Sequence, residues 1–442
     1  MRSKTSVNSV SIPVIELNSP EGKKILKEIE KGRQKRSDEV TRIVNSVLDD
    51  VRLRGDKALF AYTEKFDKVK LTPSTARIPA SLLKERAKLA SPELKKTIRE
   101  VAKRIYTYHK KQGLVEFSIK TGDGILKQLV KPLKRVGVYI PGGYTVYSSS
   151  VLMDVIPAKI AGVKEIVAVT PPKDELDPGV AYALHYLKIT EVYRIGGAQA
   201  IGALAYGTNT IAPVDKIVGP GNSYVATAKR LVYGSADIDS VAGPSEVVII
   251  ADSSSPPRLV ALDLLAQAEH GSGDEIAVCI VESKSAAAKI AAAVSREIEK
   301  SPVKEILLKL PPHAITILVT SSRKESMELS DSIAPEHLQI MTSTADKDLK
   351  LVNNAAAVFV GVNTPVALGD YYIGTNHVLP TGGAARFASG LGVESFQKRI
   401  SVAIASDKGI KTAAKYAPAF ARSEKFIHHA LSVEARVQDS GK

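Results

Sequence analysis

The hydrophobic and polar positions divide the chain into a helical first third and an alternating remainder. In residues 81–90 and 94–104, apolar side chains recur at intervals of three and four, which predicts amphipathic helices. After residue 130, short apolar runs rich in β-branched residues each end at Gly or Pro, and most precede a helical pattern. The predicted strands are 136–140, 165–170, 191–195, 216–218, 246–251, 275–281, 314–320, 338–341 and 356–361.

This alternation of strands and helices predicts an α/β protein. Nearly continuous apolar strands are typical of parallel sheets that helices cover on both faces. Nine strands are too many for one doubly wound sheet, and the glycines near residues 240–245 predict a break between two α/β units. We therefore predict two incomplete, Rossmann-like parallel-sheet domains with N-terminal helices and a helical C-terminal tail, whose pattern is interrupted around Pro418.

The composition narrows the class of protein. With 442 residues, of which 44% are apolar, the chain can bury full-sized cores. No run approaches the roughly 18 apolar residues of a membrane-spanning helix, and the N-terminus lacks the apolar core of a secretory signal. We therefore expect a cytoplasmic protein that is not bound to a membrane.

The single cysteine, Cys279, excludes an intrachain disulfide framework and a zinc site built from several thiolates. It lies in the apolar run 276–281, which we interpret as a buried strand. A buried thiol behaves as a small hydrophobic group whose thiolate is disfavoured. Oxidation of an aldehyde through this cysteine is therefore not expected.

The formal net charge of +14 raises the alternative of a nucleic-acid-binding protein. Residues 1–135 contain 32 Lys and Arg against 16 Asp and Glu, whereas residues 136–442 contain 29 against 31, so the excess lies in the first third. There it accompanies helical patterns, without a zinc finger, an aromatic RNA-binding motif or heptads. We interpret it as a solvated basic helical face, and no nucleic-acid partner is expected.

Four glycine-rich segments follow predicted strands, at 141–143, 196–202, 219–222 and 242–246. The chain contains neither Gly-x-Gly-x-x-Gly at a strand-helix turn nor a Walker A pattern. Ligands of parallel sheets bind at the loops that follow the strands, and glycine permits close approach of the backbone to them. The four segments together predict a ligand crevice.

Two groups of polar residues could carry metal or acid-base chemistry within the second half of the chain. Gln267 and His270 are three residues apart near the end of a predicted helix, a spacing that stacks both side chains on one face. Glu336 and His337 place an acid beside an imidazole at the start of a predicted strand.

Further candidates lie closer to the C-terminus. Asp370 and His377 flank a loop with turn-forming residues, and His428 and His429 lie in the C-terminal helix near Glu424. Together with the preceding groups they supply enough imidazole, carboxylate and carboxamide ligands for a zinc site. The other histidines, His109, His185 and His313, we interpret as structural or surface residues.

Eight motifs in the second and last thirds of the chain occur in a family's order. They are 138–143, 196–201, 218–222, 242–246, 267–270, 335–338, 369–380 and 396–399. From about Val136 to the C-terminus the chain resembles the histidinol dehydrogenase family. In the first third only the helical character agrees.

The resemblance implies a zinc-dependent, four-electron oxidation of L-histidinol to L-histidine through L-histidinaldehyde, with two NAD+, in the last two steps of histidine biosynthesis. It also implies one Zn2+ per subunit and a homodimer in which the C-terminal segments are exchanged. The domains expected on this basis are an N-terminal segment 1–34, a discontinuous α/β domain of 35–135 and 246–385, a Rossmann-like NAD-binding domain of 136–245, and a tail of 386–442 that reaches the partner subunit.

The resemblance also implies roles for individual residues. The zinc ligands are Gln267, His270, Asp370 and His429. The catalytic acid-base residues are Glu336 and His337. The NAD contacts are Tyr139, Gln199 and Asn222. The substrate contacts are Ser245, Gln267, His270, His337, Asp370, His377, Glu424 and His429.

Two alternatives stay open at this point. Family spacing selects His429 as the ligand, whereas His428 is four residues from Glu424 and shares its helix face. The same polar residues could also belong to a zinc hydrolase. Such an enzyme would use Glu336 as general base on a metal-bound water and would need no dinucleotide. Reduction of NAD+ on addition of histidinol distinguishes the dehydrogenase from the hydrolase.

Overall fold

The fold is taken from a computed structural model that describes residues 12–34, 37–142, 147–173, 175–241, 243–271, 273–311 and 313–438. The strands are β1 Val14–Glu16, β2 Phe117–Thr121, β3 Gly124–Pro132, β4 Arg135–Tyr139, β5 Glu165–Val169, β6 Glu191–Tyr193, β7 Lys216–Val218, β8 Asp237–Ile238, β9 Glu246–Ala251, β10 Ile276–Val281, β11 Ile315–Val319, β12 His337–Ile340, β13 Ala357–Val360 and β14 Gln397–Ala405.

The helices of the first half are α1 Pro20–Gln34, α2 Asp38–Arg54, α3 Asp56–Asp67, α4 Pro73–Ala76, α5 Ala80–Lys88, α6 Pro92–His109, α7 Ser148–Ala161, α8 Pro178–Tyr186, α9 Gly197–Tyr206 and α10 Ser223–Val232. Those of the second half are α11 Pro257–Ala268, α12 Lys284–Lys300, α13 Lys304–Leu307, α14 Arg323–Ile333, α15 Ala345–Asp348, α16 Val366–Tyr371, α17 Asp407–Ala413, α18 Ala417–Ser423 and α19 Ile427–Gln438. Short 3-10 helices span Leu349–Leu351, Ala384–Arg386 and Val393–Phe396.

The first sheet is parallel and has the order β6-β5-β4-β7-β8. Val138 of β4 lies opposite Ala168 of β5 and Val218 of β7, and all three side chains are buried. The chain runs outward from β4 to β6 and then returns to the other side of β4 at β7. This reversal of strand order is where Rossmann-like sheets open a crevice for a ligand.

The second sheet is also parallel and has the order β1-β11-β10-β9-β12-β13. Its central strands are buried on both faces, as their continuous apolar sequences predict. Cys279 of β10 lies fully buried in this core, and burial raises the pKa of its thiol to about 12. The predicted α/β architecture of two parallel sheets with a helical C-terminal end is confirmed.

A third, antiparallel sheet of order β14-β3-β2 was not predicted. All five residues of β2 are exposed, and β14 pairs with β3 along its whole length, from Gln397 opposite Pro132 to Ala405 opposite Gly124. The tail therefore begins with an extended strand, and helices α17, α18 and α19 follow it. No helix in the described part of the chain is long and apolar enough to cross a membrane.

Helices α2 to α6 pack on the first sheet. Helix α2 packs against α9 and α10, α5 packs against α8, and the N–H of Ile78 donates to the carbonyl of Val192 in β6. The expected grouping of 35–135 with 246–385 differs from this packing. Periodicity shows which face of a helix is buried, but it does not show which sheet covers that face.

The N-terminal segment likewise belongs to a sheet. Strand β1 pairs in parallel with β11, and Leu17 and Ile25 pack into the core of the second sheet with Val248 and Leu318. The separate segment expected at 1–34 therefore supplies, in its described part, an edge strand and a covering helix. Strand β1 has three residues, of which only two are apolar, so it is too short to show a strand pattern in the sequence.

Candidate active site

Glu336 and His337 lie at the amino end of β12, between β9 and β13 in the second sheet. Helix α14 ends at Ile333, and Ala334 adopts a left-handed conformation with φ of 47° that turns the chain into the strand. Both side chains are buried, with 7% and 6% of their surface exposed. The acid and the imidazole are thus fixed at the start of a central strand.

The backbone of Glu246, the first residue of β9, holds both side chains. Its N–H donates to Oε2 of Glu336 at 3.0 Å, and its carbonyl oxygen lies 3.1 Å from Nδ1 of His337. Because a carbonyl oxygen can only accept, Nδ1 of His337 carries the proton and Nε2 is left as the basic nitrogen. Nδ1 of His337 lies 3.6 Å from Oε2 of Glu336.

Burial shifts the pKa of both groups toward their neutral forms. It lowers the pKa of His337 to about 4, and repulsion from His270 and His377 adds to the effect. Burial also raises the pKa of Glu336 well above its usual value, against the hydrogen bond from Glu246, and the charges of Glu246 and Asp370 raise it further. His337 is therefore a neutral base near physiological pH, whereas Glu336 retains its proton unless positive charge is bound nearby.

Asp370 and His377 come together at the end of α16. Oδ1 of Asp370 lies 3.9 Å from Nδ1 of His377, and Nε2 of His377 lies 3.2 Å from Oγ of Ser150. Burial raises the pKa of Asp370 to about 6 and lowers that of His377 to about 4. Ser150 belongs to α7 of the first sheet, so this contact joins the two halves of the molecule, and sequence analysis did not identify it.

Gln267 and His270 approach the same region from α11, which packs against α16. His270 acts electrostatically on His337, as Asp370 does on Glu336, so both predicted ligands lie within electrostatic range of the predicted acid-base pair. The side chain of Gln267 is buried, and its Nε2 has no hydrogen-bond partner. Ser245 directly precedes β9 and is half-buried.

The donor types present suit a divalent cation. An imidazole, a carboxylate without a Lys or Arg partner, and a carboxamide with one unpartnered terminal atom are all groups that Zn2+ accepts. Turned by 180°, the amide of Gln267 would present its oxygen in place of the unpartnered nitrogen. Within the described ranges no three His, Cys, Asp or Glu side chains are placed to hold a metal.

The two C-terminal candidates lie elsewhere in the chain. Glu424 and His429 are exposed, and the ring of His429 packs against Phe426 with 5.1 Å between the ring centroids. Because the described residues hold no cluster of three such ligands, His429 does not join His270 and Asp370 within one chain. The choice between His428 and His429 stays a prediction.

The residues predicted to contact NAD lie at the carboxyl edge of the first sheet. The phenol oxygen of Tyr139, at the end of β4, accepts a hydrogen bond of 3.1 Å from the N–H of Gly197, and burial raises the pKa of this phenol to about 12. Gln199 is buried in α9 with its Oε1 unpartnered. Asn222 caps α10, since its Oδ1 accepts from the N–H groups of Tyr224 and Val225.

A buried ion pair fixes the glycine loop that leads to Asn222. Lys229 and Asp239 form this pair, and they also bind Gly219: Nζ of Lys229 donates to its carbonyl at 2.9 Å, and Oδ2 of Asp239 accepts its N–H at 2.8 Å. Gly219 has φ of +109°, and a Cβ built there would overlap the carbonyl oxygen of Tyr139. The loop thus lies directly against the end of β4, where there is no space for a side chain at position 219.

Comparisons with known proteins agree with this arrangement. The sequence model of the histidinol dehydrogenase family matches residues 30–437. Histidinol dehydrogenase of Gluconobacter oxydans is 44% identical over 410 residues, covering 92% of this chain and 95% of that protein. That of Geobacillus kaustophilus is 43% identical over 405 residues, covering 91% and 95%.

A solved structure agrees as well. The crystal structure of histidinol dehydrogenase from Elizabethkingia anophelis superposes with a TM-score of 0.89 at 33% sequence identity, covering 98% of this chain and 99% of that one. Both the sequence and the fold are therefore shared over nearly the whole length. The chain belongs to the histidinol dehydrogenase family of oxidoreductases.

Proposed function

We propose that the protein oxidises L-histidinol to L-histidine through L-histidinaldehyde, using zinc and two NAD+, in the last two steps of histidine biosynthesis. The observation that carries the proposal is the buried Glu336–His337 pair, held by the backbone of Glu246 and close to His270 and Asp370. Family membership over nearly the whole chain supports the same activity. We expect the enzyme to act in the cytoplasm.

The residues present fit both cofactors. Gln267, His270 and Asp370 would hold zinc together with His429 from a partner subunit, and zinc supplies a Lewis acid that binds the substrate and favours loss of its hydroxyl proton. Tyr139, Gln199 and Asn222 would contact NAD+, which accepts a hydride in each oxidation. Gln267 and Gln199 each have a buried terminal atom without a hydrogen-bond partner. Bound zinc and bound NAD+ would supply the missing partners.

His337 and Glu336 would divide the proton transfers. In the first oxidation, Nε2 of His337 takes the hydroxyl proton as the hydride leaves the carbinol carbon, which yields the aldehyde. In the second, ionised Glu336 takes a proton from the water that adds to the aldehyde. The resulting hydrate anion passes a hydride to the second NAD+, and the carboxylic acid so formed releases its proton to solvent as the carboxylate. His377 and Ser245 would orient the substrate, and the buried position of the pair would limit escape of the aldehyde.

The pair can be tested by separating the two oxidations. We expect His337→Ala to lower turnover of histidinol by about 10²- to 10⁴-fold, the usual contribution of an acid-base group. Glu336→Gln keeps an oxygen that can accept the N–H of Glu246, so it should fold normally and lose mainly the oxidation of histidinaldehyde. NADH formation is followed at 340 nm, with histidinol and with histidinaldehyde, before and after removal and restoration of zinc.

Two results would contradict this assignment. A hydrolase would form no NADH from histidinol, and near wild-type rates in both variants would remove Glu336 and His337 from the mechanism. A stoichiometry of two NADH per histidinol would support the complete four-electron reaction.

The tail fits exchange between subunits of a homodimer. It carries several large apolar side chains that are exposed in one chain, among them Tyr416, Phe420, Phe426 and Ile427 at 51% to 71%. A second subunit that covers them would remove this surface from water. Glu424 and His429 would then enter the partner's site, which is consistent with the finding that the described residues of one chain hold no group of three such ligands.

Mixed dimers test this exchange. Neither His337→Ala nor His429→Ala should be active alone, but co-expressed chains should form heterodimers in which one of two sites is intact. Activity should therefore recover in the mixture, while His428→Ala alone should keep both activity and zinc. Failure of the mixture to recover would show that the ligand acts within its own chain. Loss of activity and zinc in His428→Ala instead of His429→Ala would show that the ligand is His428.

A further inference from the structure

Asp67 is a carboxylate beside the proposed NAD contacts that sequence analysis did not identify. It is the last residue of α3, a helix that packs against α9 of the first sheet. Its side chain is half-buried, and its Oδ2 lies 3.4 Å from Nε2 of Gln199. Its charge also acts on the phenol of Tyr139. Asp67 therefore faces two of the three residues predicted to contact NAD.

The oxygens of this cluster lack donors. Among the described residues, Oε1 of Gln199 is buried without a hydrogen-bond partner, and Asp67 receives only the long bond from the same side chain. Burial raises the pKa of Asp67, and no cation in the described part of the chain opposes the shift. A ligand that brings hydroxyl donors would satisfy these acceptors. A ribose, which presents two adjacent hydroxyl groups, has this chemistry.

Among the described residues after the second strand of the first sheet, no free acid takes the place of the one that usually binds this ribose. In Rossmann sheets an Asp or Glu about 20 residues after the glycine turn accepts from the ribose 2′-hydroxyl. Here β5 is the second strand, and the segment 170–173 that follows it contains no acid. Further on, Glu175 pairs with Arg86, Asp177 caps α8, and Asp174 lies outside the described residues.

We propose that Asp67 accepts a hydrogen bond from the 2′-hydroxyl of the adenosine ribose of NAD and thereby excludes NADP. The inference rests on the proposed NAD-dependent oxidation and adds the residue that selects the cofactor. Asp67 and Gln199 lie on α3 and α9, which cover one face of the first sheet, whereas Ser150, which contacts His377, lies on α7 at the opposite face. The 2′-phosphate of NADP would bring negative charge against a carboxylate that no cation neutralises.

Direct binding measurements test the proposal without turnover. NADH and NADPH are titrated by fluorescence, in the absence of histidinol, into wild type, Asp67→Asn and Asp67→Ser. We expect NADH to bind about 10- to 100-fold more weakly to both variants, the usual effect of losing a hydrogen bond to a charged group. The preference for NADH over NADPH should fall by at least about tenfold, because repulsion of the 2′-phosphate is lost as well.

A matched control is Glu64→Gln, which removes an exposed carboxylate from the same helix. This variant should bind NADH as wild type does, and the KM for histidinol should stay unchanged in all variants. If wild type binds NADH but the Asp67 variants show unchanged affinity and unchanged preference, the inference is wrong while the proposed function stands. Loss of affinity in Asp174→Asn instead of Asp67→Asn would also overturn it. Absence of NADH binding to wild type would refute the proposed function itself.

Discussion

Gly219 gives the sharpest structural test of the proposed NAD loop. The perturbation is Gly219→Ala, and the control is Gly234→Ala, whose site has a similar φ of +103° but no atom within 4 Å of an added Cβ. Both changes carry the strain of a left-handed residue, which costs about 1 to 3 kcal/mol. Only Gly219→Ala also meets the backbone of Tyr139, with the carbonyl carbon 3.1 Å from the new Cβ and the oxygen closer still.

The size of the extra effect follows from what must move. The carbonyl of Tyr139 belongs to the end of a central strand, so relief requires displacement of the loop. Displacement breaks the hydrogen bonds that Gly219 makes with Lys229 and Asp239, each of which involves a charged partner and is worth about 1.5 to 3 kcal/mol. We therefore expect Gly219→Ala to lower the free energy of unfolding by about 3 to 6 kcal/mol more than the control does.

Urea unfolding followed by circular dichroism measures this difference in the free energy of unfolding. Fluorescence titration of NADH, at low temperature and without urea, measures the effect on the loop. Gly219→Ala should bind NADH more weakly than Gly234→Ala, because the displaced segment leads directly to Asn222. Equal unfolding midpoints for the two variants would refute the argument from the overlap. A destabilised Gly219→Ala that binds NADH with wild-type affinity would show that the loop does not contact the cofactor.

Two further predictions concern buried titratable groups. Asp154 is fully buried, and neither of its carboxylate oxygens has a hydrogen-bond partner. Burial raises its pKa well above the unfolded value of about 3.9. Because only the unfolded state ionises as pH rises above about 4, this residue then lowers the free energy of unfolding. Asp154→Asn should match wild type near pH 4 and be more stable at pH 7.5 in urea unfolding; parallel pH dependences would contradict this. Cys279 should react with a thiol reagent at pH 8 only after unfolding, and rapid labelling of native protein would disprove its burial.

The sequence predicted the elements of the two parallel sheets well because their strands are buried on both faces. All nine predicted strands have counterparts within a few residues, from β4 to β13 without β8. The strands that were missed are short, as in β1 and β8, exposed, as in β2 and β14, or half-buried, as in β3. Exposed strands are stabilised by pairing with distant segments, so they carry little hydrophobic signal of their own.

The candidate site was only partly accessible to sequence reasoning. Pairs that are close in sequence, such as Glu336 with His337, could be recognised from the residues alone. Ser150 and Asp67 could not, because each reaches the site from a different helix and neither lies in a motif that resembles a ligand pattern. The role of Glu246 also had no sequence signal, since its backbone rather than its side chain holds the catalytic pair.

The residues proposed to contact NAD lie at the carboxyl edge of the first sheet, whereas Glu336 and His337 lie at the amino edge of the second sheet. The carboxyl edge of the second sheet is closed by Arg323, which binds Glu282 after β10, Asp252 after β9, and Asp348. Ligands of Rossmann-like sheets usually occupy that edge, but here ion pairs fill it. The polar groups left open lie at the amino ends of β9 and β12, where ladder hydrogen bonds fix the backbone that carries His337.

This inversion explains how one site can combine a mobile cofactor with a rigid acid-base pair. The first sheet offers glycine loops at its carboxyl edge, which would suit the NAD that we propose enters and leaves this site. The second sheet offers strand starts, where the position of His337 is set by its neighbours on both sides rather than by a loop. The hydrogen bond between Ser150 and His377 lies where the two edges meet, so a hydride acceptor held by one sheet can face a base held by the other.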